Sequence, residues 1–521
     1  MWLSNRILNI RQIEIDMGIF NKFTKSQKNP PHDIITTQGF LIGVAEAEGE
    51  ANNQNILLRD VFVDNLDVFS HLDQGKFIIL GRKGSGKSAI AEYLVSSMDE
   101  EPNIFSTIIG HDKIELERLI HEIHKSDTIG QHEQLFKWVV LTQILKLMSD
   151  NQHIQDWEET KLLKKFLERN RGFVGIDKYE IYDYETSTSF SIELENLKRL
   201  SSRLGKDWKI KSNRAEYYKL LPRLEEVMME LLKRDNENSY LLIFDDLDIG
   251  YKRTQENLDI LVDLLRTVKF YNLEFSKHGL FTRILVLLRN DIAKHIQYYP
   301  DTAKMFASYS TTLRWYQDKD NENDLLLKQF INKRIVYNFK RLDIPFNEKD
   351  PWSSFVQPYE RSGKTSFKYI LDHTFYRPRD LVLFFKDIGT QNYPLPMSNQ
   401  NIQSLKKLYA AQMIHEVKNE LSSQLHEDEI DAILKAVCNY KTKDGATYDE
   451  MTSTLRDVGM DNPHDVISTL FEYSLIGNLY DNDVLSFKFR EREEYNCEMD
   501  VKRRFVLHYI LRTYAWMNNR Y

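Results

Sequence analysis

The segment Gly81-Arg82-Lys83-Gly84-Ser85-Gly86-Lys87-Ser88 constrains this chain more than any other. It follows Lys76-Phe-Ile-Ile-Leu80, a short apolar run that reads as a buried strand. It precedes Ser88-Ala-Ile-Ala-Glu-Tyr-Leu-Val95, whose apolar spacing reads as a helix. Glycines in such a loop let the backbone fold tightly, so that several N–H groups turn toward one point. The helix N-terminus beginning near Lys87 adds the positive end of its dipole. The result is a cradle for phosphate oxygens, with Gly81, Gly84, Ser85, Gly86, Lys87 and Ser88 as its expected lining. In this arrangement Lys87 reaches the β- and γ-phosphates and the Ser88 hydroxyl ligates Mg²⁺. The expected ligand is ATP with Mg²⁺.

Three later apolar runs read as further strands of one sheet: Ile104 to Ile109, Tyr240 to Phe244 and Arg283 to Leu288. A fifth is expected within Ser308 to Tyr316. Helical patterns over Arg214 to Leu232 and Gln255 to Val268 separate them. Strands alternating with helices imply an α/β fold with a parallel sheet covered on both faces. Lys87 and Asp245 stand 158 positions apart (245 − 87), more than one helix and one strand need. The surplus, about residues 112–212, reads as an inserted helical subdomain.

The run Leu241-Leu-Ile-Phe-Asp245-Asp246 places two carboxylates after four apolar residues, at the strand end where α/β ligands sit. Asp245 is expected in the Mg²⁺ shell and Asp246 as the group that polarises the attacking water. Asp248 reads as a loop-orienting residue. Arg283-Ile-Leu-Val-Leu-Leu-Arg289-Asn290-Asp291 is a second strand ending in polar groups, with Arg289 or Asn290 as a candidate γ-phosphate sensor. In Arg377-Pro378-Arg379-Asp380, Pro378 suits the first turn of a helix, and Arg379 is a candidate for reaching back to the phosphates from a lid. His121-Glu-Ile-His124 has i, i+3 spacing and lacks the i, i+4 spacing of a metalloprotease helix.

Residues 427–515 change character. Helical stretches at Glu429 to Val437, Tyr448 to Asp457 and Pro463 to Tyr473 lead into β-like runs at Ile476 to Tyr480 and Val484 to Phe489, flanking Asp481-Asn482-Asp483. Three helices and a hairpin form a winged-helix pattern. Groove binding needs basic residues near phosphate, yet residues 427–472 carry eleven Asp and Glu against four Lys and Arg. A protein-interaction or lid role is favoured there; Lys488, Arg490, Lys502, Arg503 and Arg504 keep DNA contact open.

Composition sets the outer limits. The 521 residues have a net charge of -8 and 42% hydrophobic content, ordinary for a globular protein. No run of 18 apolar residues exists, so no membrane span is expected. Two cysteines, Cys438 and Cys497, cannot build a disulfide framework, which fits a cytoplasmic location. Met17-Gly18-Ile19-Phe20 reads as a second start, and residues 1–16 are expected to be dispensable. The expected divisions are a lead-in at 1–38, an ATPase core at 39–320 containing the insertion, a helical lid at 321–425 and a winged-helix-like domain at 426–521.

These residues, taken in order, resemble the bacterial P-loop ATPases of the Sll-type family, relatives of the AAA+ and STAND ATPases. The resemblance rests on Ala45-Glu46, Phe62-Val-Asp64, Gly81–Ser88, Phe244-Asp-Asp-Leu-Asp248, Leu288-Arg-Asn-Asp291, Trp315, Lys333-Arg334 and Arg377-Pro-Arg-Asp380. It implies an ATPase core, a helical lid carrying a sensor arginine, and a C-terminal winged helix. Such proteins are often encoded beside effectors of defence against phage. The Asp-Asp pair differs from the Asp-Glu usual in AAA+ motors, which points to a slow, regulated switch with a protein partner or effector. The alternative is a DNA-dependent ATPase resembling origin-recognition proteins. A homo-oligomer is possible, with Arg314 and Arg253 as candidate arginines lent to a neighbouring subunit.

Overall fold

A computed structural model describes residues 35–53, 56–98, 101–110, 131–170, 192–206, 214–215, 217–246, 255–317, 319, 321–361, 363–422, 425–481, 484–490 and 498–518. They fall into two compact units. Of the described residues, the first holds those in Asp64–Lys83 and Lys87–Leu313; the second holds those in 35–63, Gly84–Gly86 and from Arg314 onward.

In the first unit five strands form one parallel sheet: β1 (Ile78–Gly81), β2 (Ile104–Ile109), β3 (Ser239–Phe244), β4 (Arg283–Arg289) and β5 (Ser310–Leu313). Their order is β2-β3-β4-β1-β5. All residues of β1 and β3 are buried, as continuous apolar runs require when helices cover both faces of a sheet. The covering helices include α1 (Lys87–Met98), α2 (Gln131–Asp150), α3 (Tyr217–Arg234) and α4 (Gln255–Lys277). Helix α2 buries Phe136, Val140, Ile144 and Met148, and α4 buries Leu264, Val268, Tyr271 and Phe275, in one continuous core.

The sheet order positions the site. From β1 the chain leaves toward the far edge strand β2; from β4, the neighbour of β1, it leaves the other way to β5. Right-handed crossovers then run over opposite faces and leave a crevice beyond the C-terminal ends of these two strands. The register sets Gly81 beside Arg289 at that edge.

Some boundaries differ from the sequence reading. Helix Thr302–Tyr309 takes the start of the expected fifth strand, which begins at Ser310. Arg214 lies not in a helix but in a two-stranded ribbon with Glu193, and α3 begins at Tyr217. Within the expected insertion, helices Glu158–Arg169 and Glu195–Arg203 bury Leu163, Phe166, Leu197 and Leu200 in the same core as α2. Residues 111–130, 171–191 and 207–213 of that segment are outside the described residues.

The second unit is built on α5 (Leu326–Arg341), α6 (Pro378–Phe385) and α7 (Asn399–Leu421). Arg334 on α5 is almost wholly buried and ties down the N-terminal segment. It donates to both oxygens of Glu50 at 2.9 and 2.8 Å and to the Val61 carbonyl at 2.8 Å. Its neighbours add to this: Lys333 donates to the Phe62 carbonyl at 2.8 Å, and Asn338 accepts from the Leu41 amide at 2.7 Å. Burying an ion pair costs solvation; the two-oxygen grip on Glu50 and the carbonyl contact offset that cost, although Arg334 Nε has no partner.

The C-terminal part adds α8 (Glu427–Val437), α9 (Tyr448–Asp457), α10 (Pro463–Glu472) and the antiparallel strands β6 (Ile476–Tyr480), β7 (Val484–Ser486) and β8 (Arg504–Leu507), in the order β7-β6-β8. Helix α11 (Tyr509–Asn518) follows. An isolated bridge from Ala446 to Phe505 widens this sheet. The expected hairpin is present, and β8 is the strand that the sequence reading did not mark. This part shares a core with the helices before it: Phe375 stacks on His508 at 4.4 Å and Tyr376 on Phe489 at 5.2 Å. Among the described residues, no helix is long and apolar enough to cross a membrane.

Candidate functional site

Gly81 ends β1, and α1 starts at Lys87. Between them Gly84 and Gly86 have φ of 76° and 95°, in the region that costs other residues strain. These angles wind the loop tightly. Lys87 is buried despite its charge. The hydroxyl of Ser88, one residue into α1, donates to Asp245.

Asp245 stands one residue beyond β3, its amide donating to the Ile109 carbonyl at 3.0 Å. It is 4% exposed, and its Oδ1 has no hydrogen-bond partner. Burial pushes its carboxyl up to about 7, and the adjacent charge of Asp246 adds to that; Ser88 and Lys87 oppose it. Asp246 has a φ of 51°, left-handed and strained for a non-glycine residue. An oxygen pair from Ser88 and Asp245, with one buried lone carboxylate oxygen, fits a hard cation such as Mg²⁺ that also keeps phosphate and water oxygens. Among the described residues no group of three or more His, Cys, Asp and Glu could hold a metal by itself.

At the end of β4 the two candidate sensors divide. Arg289 is turned onto Asp291, with Nε to Oδ1 at 3.0 Å and a terminal nitrogen to Oδ2 at 2.6 Å. Asn290 opens helix Asn290–Ile296, and its Oδ1 is buried without a partner.

The tip of the glycine loop belongs to the second unit. The Trp315 indole N–H donates to the Ser85 carbonyl at 2.7 Å. The stem of Arg379 covers Gly84 so closely that a Cβ there would stand 3.2 Å from Arg379 Cδ. Arg379 in turn pairs with Glu416 at 3.1 Å, and its Nε is buried without a partner. Arg377 is tied differently: its guanidinium grips Asp380 at 2.9 to 3.1 Å and meets Glu420 at 3.3 Å. Of the two arginines, Arg377 is thus held in the scaffold.

Sequence reasoning missed Glu416 and Glu420, which stand i, i+4 on α7 and receive the two arginines of the Arg-x-Arg pair. Acidic spacing of that kind was the available signal. It also left Trp315 without a role. Cys438 is buried, and burial pushes its thiol up to about 11, which suits a packing residue. Asp248, Arg253, His121, His124, Cys497 and residues 1–16 lie outside the described residues.

Comparison with known proteins adds a segment and a distant relative. Residues 325–418 match the FunZ-associated C-terminal helical domain, which covers α5, α6 and most of α7. The chain is also similar to a protein of Escherichia coli (strain K12) named as a transposon gamma-delta 80.3 kDa protein, 23% identical over 355 residues. The similarity covers 64% of this chain and 45% of that protein, so the chain spans less than half the length of its relative.

Proposed function

We propose that this chain binds ATP with Mg²⁺ at Gly81–Ser88 and hydrolyses it slowly, as a regulatory switch. One observation carries the reading: the Ser88 hydroxyl rests on a buried Asp245 whose Oδ1 lacks a partner, directly after a loop wound by two left-handed glycines. A buried oxygen without a partner costs about 1–3 kcal/mol, a cost that a bound cation removes. In this reading the N–H groups of Gly84 to Lys87 hold phosphate oxygens, Lys87 neutralises them, and Ser88 with Asp245 orients the cation. Bound Mg²⁺ supplies charge neutralisation at the phosphates during transfer. Asp246 polarises the attacking water. Asn290 or Arg289 is the candidate sensor of the outer phosphate, and Arg379, lying on Gly84, is a second candidate.

The finer family assignment belongs to the same proposal: an AAA+ or STAND-like P-loop core, a lid over residues 321–425 and a winged-helix C-terminal module. The sheet order, which puts the glycine loop at a switch point, supports it. So does the sequence of three helices and a hairpin in α8 to β8. We place the switch in a cytoplasmic bacterial defence or stress system, with a protein partner and possible self-association; this rests on the resemblance of the ordered motifs.

The test is phosphate release and ATP binding by the purified protein, with Lys87→Ala as the blank. ATP affinity should fall by about 100-fold or more in that variant, since a charge-assisted contact to phosphate is lost. Unchanged affinity overturns the site.

A second reading, a DNA-dependent ATPase, draws on the helix-and-hairpin module and on the transposon after which the relative is named. Against it, three basic residues of the hairpin region pair with local carboxylates: Lys488 with Glu472, Arg503 with Asp481, and Arg504 with Glu450. Duplex DNA added to the same assay decides: stimulated turnover with a salt-sensitive gel shift selects this reading, and indifference to DNA selects the switch.

A further inference from the structure

We infer that Trp315 is a positioning residue of the phosphate loop: its indole N–H holds the Ser85 carbonyl so that the Gly86 N–H faces the bound phosphates. The inference rests on the nucleotide reading above and names a residue to which that reading gives no part.

The geometry lies within the second unit. Trp315 Nε1 donates to the Ser85 carbonyl at 2.7 Å, and both residues are buried. The indole is fixed from behind. It stands edge-on to Phe330, with ring centroids 5.9 Å apart and planes at 74°. The Arg334 guanidinium lies over the same Phe330 ring at 3.9 Å and is itself locked by Glu50 and Val61. The donor therefore sits on a rigid stack.

The consequence follows from the planarity of the peptide bond. The Ser85 carbonyl and the Gly86 N–H belong to one trans peptide unit, in which C=O and N–H point in opposite directions. Fixing the carbonyl on the indole side turns the N–H to the other side. An anchor is needed because Gly86, on one side of that peptide plane, has no Cβ to hinder its rotation. A rotated plane would present a carbonyl oxygen to the phosphates and repel them. A second observation points the same way: Ser85 Oγ is 3% exposed at the residue level and has no hydrogen-bond partner, a buried hydroxyl at the tip of a loop suited to phosphate oxygens.

Calorimetric titration of the full-length chain with MgATP and, separately, with inorganic tripolyphosphate tests this. Trp315→Phe keeps a ring against Phe330 and removes the donor. The expected result is a loss of about tenfold in affinity for both ligands, by the same factor, with the unfolding temperature of the ligand-free protein unchanged. If Trp315→Phe lowers that temperature, benzothienylalanine at position 315 keeps the indole shape without the N–H and should show the same tenfold loss. Equal binding by wild type and donor-less variants overturns the inference and leaves the nucleotide reading standing. A loss for ATP with none for tripolyphosphate also overturns it, because the ring would then act on the nucleoside. Wild type that binds neither ligand overturns both.

Discussion

Asp245 in the first unit and Asp380 in the second are both buried carboxylates, at 4% and 0% exposure, yet their surroundings are opposite. Asp380 accepts from Arg377 at both oxygens and from the Phe375 amide at 2.9 Å. Asp245 has the Ser88 hydroxyl, the Asp246 amide and a bare Oδ1, with another carboxylate beside it. The first arrangement repays the cost of burying charge within the fold itself. The second leaves part of that cost standing, which a fold tolerates where a ligand is to relieve it. Between these two carboxylates, incomplete satisfaction, more than burial, marks the difference.

The comparison breaks most visibly if the scaffold pair is dispensable. Arg377→Ala strands Asp380 and Glu420 without their cation, and should cost about 3–5 kcal/mol in chemical denaturation. A loss under 1 kcal/mol would remove the contrast.

Asp245→Asn should behave in the reverse sense. Removing a buried, poorly paired charge should raise the stability of the ligand-free protein by about 1 kcal/mol, while Mg²⁺-dependent turnover falls by about 100-fold. A variant that is both less stable and fully active would show Asp245 to be scaffold after all.

Dependence on pH sharpens the same point. The Asp245 carboxyl moves from an ordinary 3.8 up to about 7, chiefly by burial and then by Asp246. Between these values the folded state holds a proton that the unfolded chain has released. The associated stability is therefore present below about pH 4 and is lost as pH rises through about 7. The gap in unfolding temperature between Asp245→Asn and wild type should be smallest below about pH 4, widen as pH rises to about 7 and level off above it. Because Mg²⁺ must displace that proton, its apparent affinity with ATP should rise by up to about tenfold per pH unit and level off above about pH 7. A flat profile would mean that the carboxylate is already ionised or not a ligand.

The smallest effect belongs to Glu416→Gln. The Arg379–Glu416 pair is 25% and 23% exposed, and a partly solvated pair of this kind is worth about 0.5 kcal/mol. Releasing Arg379 should raise ATP affinity by about two- to threefold on that scale. Unchanged affinity would place Arg379 with Arg377, as scaffold.

What was legible in the sequence was what neighbours along the chain decide. Lys87 and Ser88 follow their glycines directly, so one stretch of backbone contains the cradle, the cation and the hydroxyl. Asp245 was legible because four apolar residues bury a strand and the carboxylate after them must stand at its end. The hairpin around Asp481 to Asp483 showed itself through turn chemistry, with Tyr480 pairing with Val484. Arg377 and Arg379 looked equivalent, two residues apart on one helix start, and only their partners on α7 told them apart.

By itself, then, the sequence determined a parallel α/β unit with a glycine loop between its first strand and helix, a carboxylate pair at a strand end and a helix-rich C-terminal half. Periodicity, glycine freedom and strand burial act over a few residues and leave their mark there. Tertiary structure alone decided that Ser88 meets Asp245, that Arg334 closes on Glu50 and that Trp315 grips Ser85, the last two across separations of 284 and 230 positions. Contacts over such distances depend on which surfaces the sheet order and helix packing bring together, and no local pattern encodes them.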